Sequence, residues 1–259
     1  MGKIDLHFKP AVPVFDANAS LGRRHDRRVP VDTAEVTLEA MDTVGVDRAV
    51  VYGPHAAGYD SSDGNALLLE QIGDESRLLP QFVCNPSWDE LDEFTALVEK
   101  HDVRSVRMVP ALHVYPFRDW VVKPWLDWLG EAGIPVWLPV NYDFLGTKYQ
   151  VKPAELYETL SAHPDVTAVL SEVQYHTMSW AMPLLRSLPN LHVEISCLSN
   201  ADGLDRLEEA VGLGRIMYGS RFPDAAIAPL LYYIHYAGLS DDALKDICSR
   251  NVERLLGLA

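Results

Sequence analysis

The chain has 259 residues, 48% of them hydrophobic, which suits one α/β domain spanning residues 1–259 with a sizeable core better than two small domains. Its formal net charge of −15, from 22 basic and 37 acidic residues, repels phosphate backbones and argues against nucleic acid as a partner. No run of about 18 apolar residues offers a membrane span. The start at Met1–His7 lacks a signal-peptide core, and three scattered cysteines (Cys84, Cys197, Cys248) suit neither a disulfide framework nor a zinc knuckle, so a cytoplasmic setting is expected.

In chain order, short apolar runs predict strands at Val12–Ala17, Ala49–Tyr52, Leu79–Cys84, Ser105–Val109, Val136–Val140, Ala168–Val173, His192–Ser196 and Ile216–Tyr218. None shows strict polar alternation, as befits parallel strands covered by helices. Between them lie helical patterns. Thr33–Val44 has Asp32 or Thr33 as N-cap and stops at Gly45, and Trp88–Lys100 carries acids in its first turn. Asp119–Glu131 stops at Gly133, and Pro153–Ala162 opens on proline. Ser179–Ser187, Gly203–Val211, Ala225–Tyr236 and an extra C-terminal helix at Asp241–Leu256 complete the set, the last expected on the barrel's outside. Eight strands alternating with helices at this length predict a single (β/α)8 TIM barrel. No Gly-x-Gly-x-x-Gly follows a strand, which removes the dinucleotide fingerprint of the rival open sheet.

Several stretches carry a family likeness. The run Arg215-Ile216-Met217-Tyr218-Gly219-Ser220-Arg221-Phe222-Pro223 resembles the last strand of amidohydrolase-superfamily barrels, which reads Gly-Ser-Asp-Phe-Pro there. Asp16-Ala17-Asn18-Ala19-Ser20-Leu21-Gly22 is similar to that family's opening Asp-x-His-x-His-x-Gly. Gly45-Val46-Asp47-Arg48-Ala49-Val50-Val51, Leu79–Pro86 and Val103–Met108 resemble its next three strands. A second register, Lys3–Lys9, resembles a truncated form of the same opening and ranks below Asp16–Gly22. The resemblance implies a TIM barrel of the amidohydrolase-related branch and a hydrolase or decarboxylase of small organic substrates. Inheriting a reaction from a fold is analogy only.

The departures fall on the positions where the family places metal ligands. Asn18 and Ser20 stand for two histidines, Pro139 or Asn141 for the strand-five histidine, Glu172 for the strand-six histidine and Arg221 for the strand-eight aspartate. Asn, Ser and Pro bind a divalent cation poorly, and Arg cannot deprotonate to become a ligand. The expectation is therefore no metal and no other cofactor. Glu172 and Arg221 are expected to point inward and to form an ion pair, since a lone buried charge is very costly.

Two readings of that pair stand side by side: a structural plug in an inactive barrel kept for binding or assembly, or a metal-free catalytic group. In the second, Arg221 and Arg107 hold a substrate carboxylate or oxyanion while Glu172 or Asp16 is general base. Asn18, Ser20, Arg107, Asn141, His55 and His113 are the candidate substrate-binding residues of a mouth that also gathers Gln174, Glu194 and Ser196. The expected substrate is a small, anionic carboxylate, ester or lactone. A third reading, a metal enzyme with ligands displaced onto His7, His25, His55, His113 or Asp16, stays open. Cys197 reads as a small core residue. The basic run Arg23–Arg28 reads as a solvated loop face, or more sharply as a clamp for an anion or for a partner's acidic patch. Phe117, Trp120, Trp125 and Trp128 read as outer-layer core, with a homo-oligomer contact as the alternative.

Overall fold

The computed structural model describes residues 8–25, 28–29, 31–140 and 151–258. Eight strands run in sequence order, each parallel to the next: β1 (Phe15–Ser20), β2 (Arg48–Tyr52), β3 (Leu78–Cys84), β4 (Val106–Met108), β5 (Val136–Pro139), β6 (Ala168–Ser171), β7 (Leu191–Glu194) and β8 (Ile216–Met217). β8 returns to β1 through a parallel bridge between Ala19 and Phe222. The backbone bonds Ala17 N–H to Tyr218 O (3.0 Å) and Ser20 N–H to Phe222 O (2.8 Å) complete that seam. The sheet thus closes on itself as a TIM barrel.

The expected strands are all present. β1 starts three residues later than expected and runs through Asp16, Asn18 and Ser20. The strand register centred on Asp16 is therefore the one the fold uses. The competing register lies almost wholly outside the described residues.

Helices α1 (Ala34–Val44), α2 (Pro54–Gly58), α3 (Ser61–Ile72), α4 (Leu91–Lys100), α5 (Pro110–His113), α6 (Asp119–Ala132), α7 (Pro153–Ala162), α8 (Met178–Ser187), α9 (Gly203–Val211) and α10 (Ala228–His235) intervene between strands or follow β8. In α1 the Thr33 hydroxyl accepts from Val36 N–H, and Gly45 adopts a left-handed φ of 95° while its N–H returns to Met41 O. Three helices depart from the sequence reading. The short α2 (Pro54–Gly58), α3 and α5 all lie outside the helical patterns read in the sequence. Asp60 caps α3 by accepting from Asp63 N–H at 2.8 Å. Asn65 ties it to β3 with paired bonds to Val83 O and N–H (2.8 and 2.9 Å).

The C-terminal segment corrects a further expectation. It is α11 (Asp241–Lys245), a π turn over Asp246–Arg250 and α12 (Asn251–Leu255). It does not lie on the barrel's outer surface. Val252 and Leu256 join Phe15, Ala17, Val50, Trp137, Val169 and Met217 in one buried cluster. The Asn251 side-chain amide bonds Ile216 O at 2.7 Å. The segment therefore stoppers the N-terminal end of the barrel, burying apolar area that would otherwise face water. Among the predicted outer-layer aromatics, Phe117 and Trp125 are buried and Trp128 packs against the main core, whereas Trp120 is exposed. Among the described residues no helix is long and apolar enough to cross a membrane.

Candidate active site

Parallel barrel strands deliver the residues at their C-terminal ends to one mouth. Four sectors contribute here. From β1 come Asp16, Asn18 and Ser20; from β4, Arg107; from the end of β6, Glu172; and from the segment after β8, Arg221. All but Arg221 are buried, and the Arg221 side chain is 31% exposed. The expected ion pair forms: Arg221 Nε lies 3.3 Å from Glu172 Oε2. Arg107 approaches the other oxygen, its Nη1 standing 3.8 Å from Oε1. Glu172 thus sits between two guanidiniums, one fully buried and one reaching solvent.

Glu172 and Arg221 share a backbone peculiarity. Both adopt left-handed φ, 61° and 60°, although neither is glycine. Such conformations cost of order 1–3 kcal/mol each and persist where the surroundings over-determine them. Part of that determination is visible at Arg221, whose N–H donates to Asn18 O at 2.7 Å.

Beneath the pair runs a continuous ladder of hydrogen bonds. Arg107 Nε donates to Gln81 Oε1 (2.7 Å) and Nη2 donates to Asn18 Oδ1 (2.6 Å), while its guanidinium covers the Tyr52 ring at 4.0 Å. Asn18 Nδ2 passes the ladder on to Glu194 Oε2 at 2.8 Å. Glu194 also accepts from the Ser196 hydroxyl (3.0 Å), from Ser196 N–H, and from Glu172 N–H at 3.4 Å. Gly219 leaves room for this carboxylate: a Cβ there would come within 2.3 Å of Glu194 Oε1. Asp16 serves the seam, with Oδ1 accepting from Asn18 N–H (3.0 Å) and Ser220 N–H (2.8 Å).

Three buried acids crowd this volume. Burial raises the Asp16 carboxyl to about 6, against the pull of its hydrogen bonds from Ser220 and Asn18. Burial likewise raises Glu194 to about 7, with nearby Glu172 pushing the same way. Glu172 is raised by burial as well, opposed by Arg221 and then Arg107. Burial is the largest influence on the Arg221 pKa and would lower it, but Glu172, Cys197, Asp224 and Tyr52 together outweigh it, so Arg221 remains a cation. Cys197 lies 3.9 Å from Arg221 Nη1, yet burial pushes its thiol up to about 11. It is a protonated neighbour of the site, with poor nucleophilicity.

The remaining candidates fall elsewhere. Among the described residues neither His55 nor His113 bonds to the Arg107–Glu172–Arg221 group. His55 sits on α2, where its Nδ1 meets His25 Nε2 at 2.8 Å. His113 ends α5, and burial lowers its pKa to about 4. Gln174 caps the turn at Tyr175–Thr177. Ser20 joins the seam through its N–H. Asn141 lies outside the described residues. Of the basic run, Arg24 turns inward to pair with Asp224 at 2.7 Å, which corrects the solvated-loop reading at that position. Sequence reasoning passed over Gln81. The available signal was a lone amide within the otherwise apolar run Leu78–Cys84.

The family model described as Amidohydrolase matches residues 4–258. The chain belongs to that amidohydrolase family. Solved structures agree on the fold. A 2,6-dihydroxybenzoate decarboxylase from Rhizobium superposes with a TM-score of 0.78 at 13% identity, covering 96% of this chain and 99% of its own. A 5-carboxyvanillate decarboxylase from Sphingomonas paucimobilis gives 0.75 at 13% identity, covering 96% and 100%. A dihydroxybenzoic acid decarboxylase from Polaromonas, with bound manganese, gives 0.74 at 11% identity, covering 96% and 98%. A search of curated proteins found no match.

A metal of the kind that amidohydrolase barrels carry does not fit the residues at these strand ends. Among the described residues, no three His, Cys, Asp or Glu side chains converge as a ligand set. A divalent cation beside Glu172 would face two guanidiniums, at 3.8 and 3.3 Å from that carboxylate. Their mutual repulsion in a buried setting opposes its binding.

Proposed function

We propose that the chain is a metal-independent hydrolase of a small anionic ester or lactone, working at the C-terminal mouth of the barrel. The observation that carries this reading is the Arg107–Glu172–Arg221 arrangement, in which both mouth partners hold strained backbone and only Arg221 reaches solvent. Strain of that kind gathers at functional sites. Arg221 would take the substrate carboxylate or the developing oxyanion through charge-assisted hydrogen bonds. Arg107 would hold Glu172 in place from below. Glu172 would act as general base: a water oxygen bonds to the substrate carbonyl carbon while its proton passes to the Glu172 carboxylate. As the tetrahedral intermediate collapses, the carbon–oxygen bond to the leaving group breaks. The same proton then moves from Glu172 to the departing alkoxide. Asp16 is the weaker candidate for base, because one of its oxygens is committed to two backbone N–H groups of the seam.

A second reading keeps the ion-paired mouth and removes the chemistry. Each Glu172 oxygen already faces a guanidinium, which favours a barrel that binds a carboxylate without turning it over.

The deciding experiment assays chelator-treated protein against a panel of small lactones, esters and arenecarboxylates, alongside Arg221→Ala and Glu172→Gln. Turnover that survives chelation, falls by about two to four orders of magnitude in Glu172→Gln and loses substrate affinity in Arg221→Ala is expected. Turnover abolished by chelation and restored by manganese or zinc would overturn the metal-free reading. Saturable carboxylate binding without turnover would favour the binding barrel.

A further inference from the structure

A cavity of about 390 Å³ opens between the segment after β1 and the α2–α3 pair. Its floor is apolar: Leu21 and Leu68 are buried, and Leu67 forms an exposed rim. Its polar wall is made of Arg23, Arg24, His25 and His55, and among the described residues no Asp or Glu lines it. In a chain with 37 acidic and 22 basic residues, a wall with two guanidiniums and no lining carboxylate among the described residues stands out. The wall is also held in shape. Arg24 is fixed by Asp224 at 2.7 Å, and the His25 and His55 rings are joined by their 2.8 Å hydrogen bond. The Tyr59 ring closes on both histidines, with centroids 5.6 Å from His25 and 5.1 Å from His55. His55 Nε2 is buried without a hydrogen-bond partner, so the pair retains unspent hydrogen-bonding capacity.

We propose that this cavity is a separate binding site for a small organic anion, with its carboxylate against Arg23 and His25 and its apolar body on Leu21, Leu67 and Leu68. The volume lies in the range of small-molecule sites, and a preformed wall reduces the ordering cost of binding. A purely inorganic anion would use the wall and waste the floor. A divalent cation would find two imidazoles among guanidiniums, an unfavourable setting. The site does not depend on the hydrolase reading. It approaches the mouth through Arg24, which acts electrostatically on Glu172 and whose partner Asp224 lies three residues beyond Arg221.

The test titrates the full chain separately with benzoate, inorganic phosphate and zinc chloride, reading histidine ring resonances by NMR and affinity by calorimetry. Benzoate is expected to bind saturably and to shift the His25 and His55 signals. Its affinity should drop by about tenfold or more in Arg23→Ala/His25→Ala, where a charge-assisted contact is lost. It should drop likewise in Leu67→Trp, which fills the cavity from its exposed rim, and persist in Arg221→Ala, which removes the carboxylate-binding cation of the strand-end mouth. Benzoate binding that ignores Leu67→Trp and disappears in Arg221→Ala would assign the ligand to the strand-end mouth and overturn the proposal. Binding of phosphate without benzoate, binding of zinc alone, or no saturable binding by any probe would also overturn it.

Discussion

The two halves of the barrel interior are built on opposite principles. Toward the N-terminal ends of the strands, Phe15, Val50, Trp137, Val169 and Met217 pack with Val252 and Leu256 into an apolar layer. Toward the C-terminal ends, β1, β3, β4, β6 and β7 contribute Asn18, Gln81, Arg107, Glu172 and Glu194, all buried and joined by ion pairs and hydrogen bonds. The lower layer needs only complementary shape. The upper one must satisfy every charge, because an unpaired buried ion costs several kcal/mol. Investment of that size above a sufficient apolar layer is what makes the upper half the candidate site.

The largest expected effect is the removal of the cation at the centre of the ladder. Arg107→Leu leaves Glu172 with Arg221 alone and strips donors from Asn18 and Gln81. Breaking a buried pair from one side is expected to cost about 3–5 kcal/mol, read as a drop in unfolding free energy in urea. A loss under about 1 kcal/mol would mean that the upper half is no more demanding than a surface ion pair. The lower half supplies the control. Met217→Ala should cost about 2–5 kcal/mol through lost burial and a residual cavity. It should leave carboxylate affinity at the mouth unchanged, whereas Arg107→Leu should weaken it. If both substitutions weaken that affinity equally, the division between halves is wrong.

The lower half was also the more legible in sequence. Continuous apolar runs name covered parallel strands, so all eight strands could be read with small errors at their ends. The error at β1 has a physical source. Asn18 and Ser20 look like the residues past a strand's end in sequence, yet β1 runs on through them because the barrel gives them partners. Helix α3 was hidden for a related reason. Ser61-Ser62-Asp63-Gly64-Asn65 has loop composition, and what makes it helical is tertiary: the Asp60 cap, the Asn65–Val83 pair and the tight seat of Gly64 against Ala56. At the site, the Glu172–Arg221 pair was readable because an acid and a base had replaced a histidine and an aspartate together. The ladder through Gln81, Asn18 and Glu194 was not, since its links join residues 26, 89 and 176 positions apart.

The smallest effect, and the most discriminating, concerns the protonation of Glu194. Its folded pKa stands at about 7, against 4.5 ordinarily, with burial as the main cause and the Ser196 hydrogen bonds opposing it. Between those values the folded chain binds a proton that the unfolded chain has released. Stability from this group is therefore fully present below about pH 4.5, falls as pH rises to about 7 and is level beyond. Asp16, raised to about 6 from 3.8, adds a decline of the same sign over a lower window. Glu172 and Asp16 both face Glu194 and lift it further, while the Asn18 amide and Ser196 favour its charged form. Glu194→Gln deletes the titration and keeps the shape. Urea midpoints measured from pH 4.5 to 8 should decline less steeply in the variant between pH 5 and 7, with the curves parallel above pH 7.5. Coincident slopes would show that the four donors around Glu194 keep it ionised throughout. Its burial would then be fully compensated, and the upper half would carry two titrating acids, Asp16 and Glu172, instead of three.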